Sequence, residues 1–311
     1  MLASPRAPSY VARAMATYRV LVSDPISPKG VEALAASPDI EVDVRTGISF
    51  DAKAGKPTDE FLSLIGDYDG LVVRSETKVT PAVFAAAKKL KAIGRAGVGV
   101  DNIDRQAANA HGVIVMNTPT GNTISTAEHA FTLMLSTARN IAPAHAAVLA
   151  GDFKAARKAY QGIELNGKRL AVIGMGRIGA EFAKRAQAFN MQVVAYDPFL
   201  TQTRADELKV ELADSPDAAL AGADVVTLHV PLTDQTRNIL SAENLARTKK
   251  GVRVINCARG GLVDEEALAE LLKSGHVAGA AFDVFSVEPA TDNPLFNLPN
   301  VVCTPHLGAA T

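Results

Sequence analysis

Leu170-Ala171-Val172-Ile173-Gly174-Met175-Gly176-Arg177-Ile178-Gly179 is the stretch that decides the fold. Four apolar residues run directly into G-x-G-x-x-G, and a helical pattern follows from Ala180 to Phe189. Strand, glycine turn and helix in that order are the context a dinucleotide fingerprint requires. Gly174 permits the tight turn, Gly176 lets the backbone approach a pyrophosphate, and Gly179 lets the helix sit close to the strand. The helix N-terminus offers free N–H groups and a partial positive charge to phosphates. The next apolar run, Gln192–Tyr196, ends at Asp197, about 20 residues beyond the glycines, where an acid accepts hydrogen bonds from ribose hydroxyls. Pro198 rather than an arginine follows, so the expected cofactor is NAD and not NADP.

Outward from that stretch the same rhythm repeats. Arg169–Gly174, Gln192–Tyr196, Val225–His229, Val252–Asn256, Val277–Phe282 and Val301–Cys303 read as strands at βα spacing, six in number, matching a doubly wound Rossmann sheet. Upstream, Tyr18–Ser23, Ile40–Val44, Gly70–Arg74, Ala92–Ala96 and His111–Val115 read as strands, with helices over 28–36 and from Pro81 to about Leu90. A polar stretch from Asn117 to Thr126 separates the two series, and a long helix is expected over 126–139. The expected fold is α/β, with two Rossmann-like or flavodoxin-like parallel-sheet domains. A substrate domain over 18–118, completed by 305–311, flanks a nucleotide domain over 119–304.

Composition sets limits on function. Of 311 residues, 48% are apolar and 21% charged, and Lys+Arg (32) nearly balances Asp+Glu (33). That balance argues against a protein that coats nucleic acid or an anionic membrane. Two cysteines make no disulfide framework and suit a reducing compartment such as the cytoplasm. No apolar run approaches a membrane span of about 18 residues. Residues 1–17 hold no acid, two arginines and two prolines. They read as a disordered leader, with an organelle transit peptide or a true start at Met15 as alternatives.

Three late strands lead into residues of the classes a hydride-transfer site uses: Arg259, Glu288 and His306. Such chemistry needs a cation for the substrate carboxylate, a proton acceptor for the hydroxyl, and often a carboxylate that orients the acceptor. The surrounding motifs, NCARGGLVDE (256–265), DVFSVEP (283–289), TPHLGAAT (304–311), VIGMGRIG (172–179) and ADVVTLHVPLT (223–233), resemble those of the D-isomer-specific 2-hydroxyacid dehydrogenases. The likeness runs over residues 18–311. VRSETKVT (73–80), GRAGVGVDNID (94–104) and NTPTGNTISTAEHAF (117–131) are similar to the members that act on 3-phosphoglycerate, at the first step towards serine.

The resemblance implies that Arg259 holds the substrate carboxylate and carbonyl oxygen, that His306 is the general acid/base, and that Glu288 pairs with His306. An imidazole suits the task because its ordinary pKa of about 6.5 lies near working pH. It places Val98, Arg177, Ile178, Asp197, Val230, Cys257, Ala258 and Asp283 on the cofactor with the three glycines, in a cleft between the domains. It makes Arg74, Ser75, Gly99 and Asn122 substrate contacts, with Arg157 reaching a phosphate on an alignment left open. It also implies a homodimer through the nucleotide domain. The family continues past the histidine motif with a helix that packs on the substrate domain, so a C-terminally truncated chain with a weakened substrate domain is expected.

Several residues have plainer readings. His229 reads as structural or as a residue just behind the site, His129 as a packing or interface residue, and His111, His145 and His276 as surface or loop positions. Cys257 has no partner base that would make it a nucleophile. Arg95 stays open between a substrate-side cation and a strand-end charge. Lys88-Lys89 and Lys249-Lys250 read as solvated helix ends. No metal-ligand spacing occurs. Two alternatives remain: a dehydrogenase for glycerate, lactate or a similar acid, and a non-catalytic NAD-sensing scaffold like the corepressors of this fold.

Overall fold

A computed structural model describes residues 17–51 and 53–311. The leader expectation, apart from Thr17, falls outside them. The chain divides into two compact units, the first ending at Gly121 and the second running Asn122–Thr311. The division lies three residues beyond the expected one because Thr118 N–H bonds the Gly97 carbonyl and Gly121 N–H bonds that of Thr118. Residues 305–311, expected with the first unit, pack on the second. The Thr126 hydroxyl donates to the Gly308 carbonyl at 3.1 Å, and Asp283 accepts the Leu307 and Gly308 N–H groups.

The first unit comprises β1 (Tyr18–Val22), α1 (Pro28–Ala35), β2 (Ile40–Val44), β3 (Phe50–Asp51), β4 (Lys56–Pro57), α2 (Asp59–Leu64), β5 (Gly70–Val73), α3 (Pro81–Ala86), β6 (Ala92–Arg95), α4 (Arg105–Ala110) and β7 (Ile114–Asn117). Five strands form a parallel sheet in the order β2-β1-β5-β6-β7, the flavodoxin-like arrangement, while β3 and β4 make a small antiparallel hairpin. The last strand begins three residues later than the sequence suggests. His111 and Gly112 (φ +66) instead close α4, with Val113 N–H returning to the Ala108 carbonyl.

The second unit opens with α5 (Thr123–Ala138), α6 (Ile141–Leu149) and α7 (Phe153–Ala159). It continues through β8 (Arg169–Ile173), α8 (Arg177–Ala188), β9 (Gln192–Tyr196), α9 (Gln202–Leu208), β10 (Glu211–Leu212), α10 (Pro216–Leu220) and β11 (Val225–Leu228). It ends with α11 (Ala242–Ala246), β12 (Val252–Asn256), α12 (Glu265–Lys273), β13 (Val277–Phe282) and β14 (Val301–Cys303). The sheet holds seven parallel strands, not six, in the order β10-β9-β8-β11-β12-β13-β14. The extra strand, β10, is two residues long and carries no legible strand pattern.

Period-two geometry explains why β8 is apolar from Leu170 to Ile173. Leu170 and Val172 face a core with Phe131, Met134 and Phe182, from α5 and α8. Ala171 and Ile173 face the opposite core with Leu220 and Leu268, from α10 and α12. A strand covered on both faces needs no polar side. Burying Ile173 completely contributes about 2–3 kcal/mol. Helix α8 buries Gly179, Phe182, Ala183 and Ala186 on one stripe and is followed by Asn190 in the left-handed region. The strand order reverses between β8 and β11, which opens a crevice at their C-terminal ends. Among the described residues no helix is long and apolar enough to cross a membrane.

Candidate active site

The glycine turn sits at that crevice. Gly174 has φ +97, and a Cβ there would stand 2.7 Å from the His229 carbonyl oxygen. A Cβ at Gly179 would overlap the Gly174 carbonyl, so α8 reaches β8 only without one. A Cβ at Gly176 would meet nothing within 4 Å. Packing therefore explains two glycines, and open space in front of α8 marks the third. Asp197, at the end of β9, accepts Met175 N–H through Oδ2 and Phe199 N–H through Oδ1, both at 2.9 Å. The carboxylate thus ties the glycine turn to the neighbouring strand end and stays half-buried, with lone pairs left for hydroxyl donors. Arg177 is exposed at the first turn of α8, with Ile178 beside it; Val230, Cys257 and Ala258 follow β11 and β12. These residues fit a dinucleotide.

The structure brings His306 and Glu288 together. His306 Nδ1 lies 2.8 Å from Glu288 Oε2, and Glu288 Oε1 accepts Phe285 N–H at 3.0 Å. Glu288 therefore has one oxygen anchored to its own loop and the other on Nδ1 of the imidazole. His306 adopts φ +56, an uncommon conformation for a residue with a side chain. Asp283, 1% exposed, holds it there. Its backbone carbonyl accepts His306 N–H at 2.9 Å, Oδ1 accepts Leu307 N–H at 2.7 Å, and Oδ2 accepts Gly308 N–H at 2.8 Å. The Thr304 hydroxyl donates to Oδ1 at 2.6 Å, and His129 Nε2 from α5 lies 3.2 Å from the same oxygen. The carboxylate that the resemblance assigns to the cofactor thus also braces the histidine loop and meets α5 through His129.

The Arg259 loop is brought against the Glu288 loop. A Cβ at Gly260 would overlap the Phe285 carbonyl, so the two backbones meet only through glycine. Asn256 Nδ2 holds the Arg259 carbonyl at 2.8 Å, and Arg259 Nη1 bonds the Ala258 carbonyl at 2.6 Å. Glu265 supports the other side, accepting from Ser286 N–H, the Ser286 hydroxyl and Asn293 Nδ2. Burial and the nearby Asp283 charge push the Cys257 thiol well above its ordinary pKa, so it is no thiolate nucleophile. His229 turns its ring against Phe182 and bonds Thr227 through Nε2 at 3.0 Å. Its Nδ1 is shut off from water, and loss of solvation lowers its pKa to about 3. It is neutral and structural.

The remaining expected contacts are dispersed along the chain. Arg74, Ser75, Val98 and Gly99 lie in the first unit, after β5 and β6. Asn122 precedes α5 and Arg157 is exposed on α7, both in the second. Helix α5 begins without a side-chain cap, while Asn122 Oδ1 and Thr123 Oγ1 are buried without partners. Sequence reasoning missed Thr304, Glu265, Asp24 and Asn102, and read His129 only as a packing or interface residue. The one signal for Asp24 was an acid directly after a strand, which also reads as a plain turn.

Comparison with known proteins places this geometry. Residues 131–308 match the NAD binding domain of the D-isomer specific 2-hydroxyacid dehydrogenases. The chain belongs to that family. It is 51% identical to the D-3-phosphoglycerate dehydrogenase of Bacillus subtilis (strain 168) over 294 residues, 94% of this chain and 53% of that one. It is 49% identical to the Archaeoglobus fulgidus protein of the same name, over 94% of this chain and 54% of the other. A crystal structure of a glyoxylate reductase from Paecilomyes thermophila superposes with a TM-score of 0.81 at 31% identity, covering 95% of this chain and 90% of that one. The chain spans about half the length of the curated relatives it matches. Family membership makes the fingerprint after β8 an NAD site by type, with Gly174, Gly176, Gly179 and Asp197 as the residues that fit it.

Proposed function

We propose that the chain oxidises 3-phospho-D-glycerate to 3-phosphooxypyruvate with NAD, the reaction that leads towards serine. The carrying observation is the His306–Glu288 pair at 2.8 Å, held on a loop anchored by Asp283. NAD, when bound, accepts the hydride from C2 of the substrate. His306 takes the hydroxyl proton at Nε2. Glu288 fixes the ring through Nδ1 and stabilises the imidazolium that results. Arg259 pairs with the substrate carboxylate and polarises the oxygen at C2, a task its planar fork suits. Arg74, Ser75, Gly99 and Asn122 bind the rest of the anion, with Arg157 as a further phosphate cation. Val98, Arg177, Ile178, Val230, Cys257, Ala258 and Asp283 complete the cofactor set.

The two cysteines of the chain are free thiols, which supports a reducing compartment such as the cytoplasm. A homodimer through the nucleotide domain is supported by α6, which buries none of its residues. With α7 it leaves Leu149 75% and Phe153 64% exposed. NADH formation measured with a panel of 2-hydroxy acids tests the reaction. Preference for 3-phosphoglycerate is expected, and preference for an unphosphorylated acid overturns the substrate. Unchanged NADH formation in Arg259→Ala, Glu288→Ala and His306→Ala variants overturns the enzymatic reading and leaves an NAD-binding scaffold.

A further inference from the structure

The turn Arg74-Ser75-Glu76-Thr77 is held from below and from the side by Asp24 and Asn102, neither of which the sequence reading gave a role. Asp24, two residues past β1, is 0% exposed. Its Oδ2 accepts Arg74 N–H at 2.6 Å, and both carboxylate oxygens lie 3.1 Å from Thr77 N–H. The Thr77 hydroxyl donates to Oδ1 and lies 2.8 Å from Ser23 Oγ and 2.7 Å from Ser49 Oγ. Asn102 supplies the complement. Its Nδ2 donates to the carbonyls of both Arg74 and Thr77 at 2.8 Å, and its own carbonyl accepts Val79 N–H at 2.8 Å. One side chain thus takes both N–H groups at the ends of the turn, and the other takes both carbonyls. Arg74, Ser75 and Glu76 are exposed between these clamped ends.

A buried carboxylate beneath a turn read as anion-binding needs a reason. Its four donor contacts supply one, because an unpaired buried charge is far costlier than a paired one. The arrangement has a consequence for recognition. The Arg74 and Thr77 N–H groups point inward to Asp24, so an anion meets the Arg74 guanidinium and the Ser75 hydroxyl instead. Side-chain recognition depends on where the turn holds Cα of Arg74 and Ser75. We propose that Asp24 and Asn102 are positioning residues for the anionic substrate: they fix the Arg74–Thr77 turn, and so set the affinity for the acid without touching it. This rests on the reading of Arg74 as a substrate contact.

The test is steady-state kinetics with 3-phospho-D-glycerate and NAD, using Asp24→Asn, Asn102→Ser, Thr77→Val, Thr77→Ser, Arg74→Ala and Ser75→Ala variants. Asp24→Asn keeps the shape but sets an amide N–H₂ against inward-facing donors. Asp24→Asn, Asn102→Ser and Thr77→Val are expected to raise KM for the acid about tenfold or more, as for a lost hydrogen bond to a charged group. KM for NAD stays unchanged and kcat within about threefold. Thr77→Ser, which keeps the hydroxyl, restores KM. Because Asp24 acts through Arg74 and Ser75, adding Asp24→Asn to a chain that carries both Arg74→Ala and Ser75→Ala raises KM no further. Additive effects, or a loss of kcat and both KM values together, would make the clamp merely structural and overturn the proposal. If Arg74→Ala raises KM and the clamp variants do not, the clamp alone falls. If Arg74→Ala leaves KM unchanged, the substrate contact and the clamp fall together. Should Asp24→Asn fail to fold, Asn102→Ser carries the same comparison.

Discussion

The glycine turn after β8 makes a prediction that separates cofactor binding from folding, residue by residue. Gly176 has φ −68 and ψ −162, which an alanine adopts, and its Cβ would meet nothing within 4 Å. Gly176→Ala therefore costs the fold nothing, and the stiffer unfolded chain favours the variant by about 0.4–1 kcal/mol. The added methyl stands where a pyrophosphate approaches the first turn of α8. Loss of one charge-assisted hydrogen bond there, about 1.5–3 kcal/mol, weakens NADH binding about 10- to 100-fold. Gly179→Ala behaves otherwise. Its Cβ would overlap the backbone carbonyl of Gly174, which cannot swing aside as the end of a flexible side chain can. Helix α8 must then lift from β8, an overpacking cost of about 3 kcal/mol. For a unit of this size that corresponds to a fall of about 6–12 °C in Tm, with NADH affinity lost as well. Thermal melts and NADH fluorescence titrations of the two variants give both readings. Wild-type NADH affinity in Gly176→Ala, or a melt as depressed as that of Gly179→Ala, would refute the assignment of open space to the cofactor and close packing to the fold.

Other expectations follow from the same geometry. Glu288→Gln keeps an oxygen for Phe285 N–H but removes the charge beside His306. A kcat about 10²- to 10³-fold lower is expected with NADH affinity and Tm unchanged, and an unaltered kcat would remove Glu288 from the mechanism. His229 is held to a pKa of about 3 when folded, against about 6.5 for an unfolded histidine. Between those values the unfolded chain binds the extra proton, so stability falls as pH drops below about 6.5, by up to about 1.4 kcal/mol per pH unit. Urea unfolding at pH 7 and pH 5.5 should show a smaller loss for His229→Gln than for the parent chain, and equal losses would exclude this residue as a source. Leu149→Glu with Phe153→Asp should shift sedimentation from dimer to monomer without lowering Tm, and a dimer that survives both places its interface elsewhere.

Much of the site was legible because it lies on local signals. The glycine turn needs only neighbours in sequence to declare itself: an apolar strand, three glycines and an amphipathic helix. Arg259, Glu288 and His306 stand just past three strands, where a doubly wound sheet puts its chemistry, and their motifs fixed the family before any geometry was known. The strands on either side of β8 were readable for the same reason, since coverage on both faces makes them continuously apolar.

What the residues alone could not state is which polar groups meet over long separations. Asp283 reads as one more strand-end acid, yet its carboxylate gathers N–H groups from 307 and 308, the Thr304 hydroxyl and the imidazole of His129, far back on α5. Asp24 and Asn102 reach the Arg74 turn across 50 and 28 residues of chain. The strand β10 exists only because β9 offers an open edge. The sequence by itself determined the glycine turn and the strand rhythm, because period and spacing are local properties, and it pointed to Arg259, Glu288 and His306 only through the motifs that carry the family resemblance. Only the tertiary structure decided what holds those groups in place, because a buried carboxylate is stable only where the fold delivers its donors, and those donors come from distant segments.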